Sequence, residues 1–149
     1  MKLFQIEEPD GSPVDPDAPG VAVGIDLTGP QAVVAVSVGG NALVLKDREG
    51  LEIDLAVPAA TAAPAAWQTL FEGVRVRAER ALAQPVTHAV LMLRAAPEPA
   101  FAALLITASG GAGLEVLRFA TLDEITSAEP PAMAAAVIAE DLAPRPASF

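Results

Sequence analysis

The chain has 149 residues, with 52% hydrophobic and 19% charged residues, enough apolar material for one domain with a single core. Nine Lys and Arg against 19 Asp and Glu give a net charge of −10, which disfavours nucleic acid and anionic membrane surfaces as partners. With no Cys and one His, His88, disulfides, thiolate nucleophiles, Cys-type zinc or iron–sulfur sites and multi-His metal sites are excluded.

Residues 1–20 read as an acidic, Pro-rich tail. Glu7, Glu8, Asp10, Asp15 and Asp17 alternate with Pro9, Pro13, Pro16 and Pro19, so an extended tail is expected, with residues 1 to about 18 mostly dispensable for folding. The apolar patch Leu3-Phe4-Gln5-Ile6 reads either as a strand packed on the domain or as a docking peptide. Neither a secretory signal nor a membrane span is visible, so a cytoplasmic location is expected.

The domain is expected over residues 21–143. Val21 to Leu27 is a buried strand, Thr28-Gly29-Pro30 a tight turn and Gln31 to Val38 a second strand. Gly39-Gly40-Asn41 reads as a hairpin turn, Ala42 to Lys46 as a third strand and Asp47 to Gly50 as a further turn. Leu51 to Val57 reads as a fourth, edge-like strand, and Pro58 to Ala66 as a linker. From Trp67 to Ala83 the period becomes helical, with Leu70, Phe71, Val74, Ala78, Ala81 and Leu82 on one face. Thr87 to Arg94 is an apolar strand, Pro97 to Gly110 a helix that glycines end, and Leu114 to Ala120 a strand. Asp123 to Glu129 reads as a short helix, Pro131 opens a last helix to Leu142, and 144–149 is a C-terminal tail.

A meander followed by right-handed crossovers is an α/β fold: a mixed sheet with N-terminal antiparallel strands and βαβ crossovers, helices on its faces. With the first strand central, this is the architecture of ribonuclease H-like and actin-like ATPase domains.

Four blocks resemble the Hsp70-type chaperone ATPase domain, lobe I. Gly24-Ile25-Asp26-Leu27 is similar to the start of that family's G-I-D-L-G-T-T-N phosphate loop. Val86 to Phe119 resembles its V-T-D-A-V-I-T-V-P-A-Y-F segment with the helix and A-G-L-x-V-L-R that follow. The opening MKLFQIEEP and the turn Asp47-Arg48-Glu49-Gly50 resemble the HscA branch, which serves iron–sulfur cluster assembly. The resemblance spans most of residues 1–129 and implies a degenerate phosphate loop at Asp26, Thr28 and Gly29.

The departures imply inactivity. Thr28 stands where the family has Gly, and Pro30 has no N–H to give a phosphate. No Lys occupies Pro58 to Ala66, where the family's catalytic Lys would fall, and the second lobe and peptide-binding domain have no counterpart. In the helix from Pro97, Ala102, Ala103 and Ile106 stand where the family has polar types. That apolar face implies a cover: the last helix, a second protomer or a partner chain. The expected function is therefore a truncated, catalytically inactive Hsp70-like protein, not an enzyme, acting through protein–protein interaction. Its partner would be a chaperone or iron–sulfur assembly component, with a homodimer as a further arrangement. No cofactor is expected; residual ATP or Mg²⁺ contact at Asp26 is the exception. The alternative is a nucleotide-binding ATPase that completes its site by oligomerising.

Four further features read structurally. A two-metal nuclease would have to gather Asp26, Glu98 and Glu124. His88 reads as a half-exposed strand-end residue with no nucleophile partner, Ser37 and Ser109 lacking the context for one. Gly110-Gly111-Ala112-Gly113 reads as a helix stop rather than a phosphate cradle. Arg75, Arg77 and Arg80 read as a solvated face paired with Glu72 and Glu79, or as a docking patch for an acidic partner.

Overall fold

The computed structural model describes residues 20–47, 49–126 and 128–144. The 1–19 tail with its Leu3–Ile6 patch, Arg48 and residues 145–149 lie outside the described residues.

Five strands form one mixed sheet: β1 (Val21–Asp26), β2 (Val33–Val38), β3 (Asn41–Leu45), β4 (Val86–Leu93) and β5 (Glu115–Thr121). Their order is β3-β2-β1-β4-β5. The hairpins make β1–β2 and β2–β3 antiparallel, while crossovers make β1–β4 and β4–β5 parallel. The β2–β3 turn places Gly39 at φ +60° and Gly40 at φ +82°, the left-handed pair a two-residue hairpin requires. From Ala89 to Leu93, β4 is buried on both faces, which is why it reads as an unbroken apolar run.

Helices α1 (Pro64–Leu82) and α2 (Pro99–Gly111) cover one face. Trp67, Leu70, Phe71, Val74 and Ala78 of α1, with Leu105 and Ala108 of α2, pack on Val23, Ile25, Leu27, Leu91 and Leu93. Ala83 closes α1 in the left-handed region at φ 54°, its N–H donating to Glu79 O at 2.8 Å, and Pro85 follows.

The last helix, α3 (Pro131–Leu142), lies on the opposite face. Ala132, Ala135, Ala136 and Ala139 recur at helical spacing and let its backbone approach the sheet. The approach is so close that a Cβ built on Gly24 of β1 would stand 2.2 Å from Ala136 N and 2.6 Å from Ala135 C. The Glu140 carboxylate reaches over the sheet and clamps the β2–β3 end. It accepts hydrogen bonds from Ser37 Oγ (2.8 Å), Gly39 N (2.6 Å) and Gly40 N (2.9 Å).

The structure corrects three sequence expectations. Residues 51–57 do not form a fourth strand: only one bridge, Gln31 to Ala56, pairs them with the sheet side of the chain. The donors a ladder would use go to side chains, Ile53 N to Asp47 Oδ2 (2.7 Å) and Leu55 N to Gln31 Oε1 (3.1 Å). Pro30, opposite Val57, has no N–H to return. Instead of a helix over 123–129 there is a single 3₁₀ turn, Leu122–Glu124. Thr121 and Glu124 cap that turn reciprocally, and Ile125 leaves it with extended backbone. Finally, α3 does not cover α2. It crosses β1, β2 and β4 on the other face, and Ile106 of α2 stays 50% exposed.

No helix among the described residues is long and apolar enough to cross a membrane.

Candidate functional site

The residues that carry the resemblance to a phosphate loop meet at the carboxyl edge of β1. Asp26 ends the strand, and its side chain turns to the α3 face because Ile25 and Leu27 take the α1 face. The residue is 9% exposed. One oxygen, Asp26 Oδ1, accepts from Thr28 N at 2.9 Å and from Thr28 Oγ1 at 2.6 Å. Thr28 therefore holds that one oxygen in a local turn. Gly29 has no steric need to be glycine: a Cβ there meets only Gln31 O, at 3.8 Å. Pro30 N has no proton, and its carbonyl accepts from Val57 N at 2.9 Å.

Arg94, the residue after β4, comes to the same edge and donates from Nη2 to Thr28 O at 2.8 Å. Sequence reasoning missed it. Its only signal was its place one residue beyond the strand, and the parallel β1–β4 register that brings it to Thr28 is a tertiary fact. The backbone follows suit, Leu27 N donating to Met92 O at 3.0 Å.

His88, Ser37 and Ser109 lie away from this edge, whereas Glu98 and Glu124 follow β4 and β5 at their carboxyl ends. His88 is near the start of β4, at the opposite end of the sheet. Its Nδ1 is 2.7 Å from Thr87 Oγ1 and its Nε2 is 3.7 Å from Glu115. Ser37 donates to Glu140, and Ser109 Oγ to Ile106 O at 3.0 Å. Glu124 sits in its capping turn and pairs with Arg118. Glu98 precedes α2 as an exposed cap position. Asp26 ends β1, Glu98 follows β4 and Glu124 follows β5, and no group of three or more metal-ligating side chains forms among the described residues.

The glycines at 110–113 do end α2. Gly113 takes φ +87°, and Leu114 N returns to Ser109 O at 2.8 Å. The arginine stripe on α1 divides. Arg75 Nε pairs with Glu79 at 3.1 Å, as the i,i+4 spacing predicts. Arg77 is no solvated residue. Its Nη2 pairs with Asp47 Oδ2 at 2.8 Å and donates to Ile53 O at 2.9 Å, with its side chain 16% exposed. Hydrogen bonding from the Arg77 guanidinium, helped by the Ile53 N–H and opposed by burial, holds the Asp47 carboxyl below its ordinary range.

No protein-family model matches the chain, and no curated protein matches it. The class that fold and site define is an α/β domain on a five-stranded mixed sheet.

Proposed function

We propose that the chain is a non-hydrolysing domain related to lobe I of the Hsp70-type ATPase, and that it acts by binding a protein partner through the outer face of α2. The observation that carries this reading is that α2, PAFAALLITASGG, has no charged residue and turns Ala103 and Ile106 to solvent. An exposed helix face without charge is a surface on which a partner can pack. The strand order β3-β2-β1-β4-β5 supports the ribonuclease H-like or actin-like assignment. An Asp26 carboxylate with one oxygen held by Thr28, next to a turn with Pro30 in place of a donor, supports the non-hydrolysing part. From the sequence resemblance, we propose iron–sulfur cluster assembly or chaperone regulation as the partner's context.

A photo-crosslinking side chain at position 106 tests the reading in the source cell. One discrete adduct is expected, which a crosslinker at Glu72 on α1 does not give. An adduct with a second copy of the chain identifies the partner as itself. Absence of any adduct at 106 refutes the interface. Turnover of Mg²⁺-ATP that disappears in Asp26→Ala refutes the non-hydrolysing assignment.

A further inference from the structure

A cavity of about 330 Å³ opens at the carboxyl edge of the sheet, on the α1/α2 face and away from the exposed side of α2. Its position has a topological reason. From β1 the chain turns outward to β2, whereas from β4 it crosses outward to β5. Between the carboxyl ends of β1 and β4 the two connections diverge and leave a crevice, the place where open α/β sheets take their ligands. Its volume lies within the range of small-molecule sites.

The walls are Leu27, Pro58, Pro97 and two aromatic rings, Trp67 and Phe101, whose centroids stand 5.5 Å apart in an edge-to-face pair. Trp67 is 2% exposed. Arg94 is the only charged residue in the lining among the described residues. One of its guanidinium nitrogens holds Thr28 O, and its further N–H donors remain for a ligand.

We infer that this cavity binds a small organic monocarboxylate, its apolar body against Trp67 and Phe101 and its carboxylate on Arg94. The chain's own charge narrows the anion class. A net charge of −10 repels nucleotides and other polyanions strongly and a single carboxylate least. One arginine among apolar walls also matches one carboxylate rather than a phosphate chain.

The lone tryptophan makes the test direct, because Trp67 reports alone in fluorescence. The probes are transparent at its wavelengths: cyclohexanecarboxylate, its neutral analogue cyclohexylmethanol, and acetate. Cyclohexanecarboxylate should change Trp67 emission saturably at roughly millimolar concentration. The alcohol should bind about tenfold more weakly, and acetate should not saturate. Arg94→Gln, its fold checked by circular dichroism, should abolish the preference for acid over alcohol. Ala96→Phe fills the cavity from its exposed rim while leaving Arg94 on Thr28, and should abolish both signals. The inference is overturned by no saturation with cyclohexanecarboxylate at about 20 mM, by saturation with acetate alike, by Arg94→Gln keeping the acid preference, or by Ala96→Phe binding as the wild type does.

Discussion

Gly24→Ala isolates the closest contact in the fold. In an ordinary strand this change is mildly stabilising, by about 0.4–1 kcal/mol, because alanine narrows the unfolded ensemble. Here the new Cβ would meet Ala136 N at 2.2 Å, Ala135 C at 2.6 Å and Ala132 O at 2.7 Å. All three are backbone atoms of α3, so no rotamer change relieves the clash. Ordinary contact begins near 3.4 Å, and α3 must therefore lift by about 1.2 Å. A gap of that size forfeits up to about half of the dispersion energy along the seam formed by Ala132, Ala135, Ala136 and Ala139. Overpacking costs typically about 1–3 kcal/mol, and the lost seam contacts place this case at the upper end, near 3 kcal/mol. For a domain of this size that lowers Tm by about 9–15 °C. Thermal and urea unfolding followed by far-UV circular dichroism give the value. Gly29→Ala is the control, since its Cβ meets only Gln31 O at 3.8 Å, and it should stay within about 0.5 kcal/mol of wild type. A Gly24→Ala protein as stable as wild type, or more so, would refute the packing of α3 against β1.

Glu140→Gln weakens the carboxylate that holds Ser37 Oγ, Gly39 N and Gly40 N, so a loss of about 1–2 kcal/mol is expected, with faster amide exchange at Gly39 and Gly40; unchanged exchange there would dismiss the clamp. Because the Asp47 carboxyl lies below its ordinary range when folded, the unfolded chain binds its proton first. The stability it contributes is full above the unfolded value of about 3.9 and is lost as pH falls through the lower folded value. Urea midpoints measured between neutral pH and pH 3 should fall less steeply for Asp47→Asn than for wild type, and identical slopes would contradict the Arg77 pairing. Ile106→Lys should keep Tm within about 3 °C, since the side chain is already 50% exposed. A drop of more than about 5 °C would mean that a further element covers that face.

Much of the fold was legible because its signals are local. The β1 run, the Gly39–Gly40 turn, the Trp67–Leu82 stripe and the apolar β4 each follow from residues adjacent in sequence. The α2 stop at Gly110–Gly113 does too. The strand expected at 51–57 failed because its alternating pattern does not reveal that Asp47 and Gln31 take its N–H groups. The sequence placed a last helix from Pro131 to Leu142 but not which sheet face receives it. Gly24 decides that, by leaving room for a helix backbone on the side of β1 away from α1 and α2. At the carboxyl edge the sequence determined the chemistry of single residues, an acid at 26, a hydroxyl at 28 and a proline at 30. Only the tertiary structure joined Arg94 to Thr28 and set Trp67 beside Phe101 across a cavity, because those neighbours are 66 and 34 residues apart and meet through parallel strand pairing and helix packing.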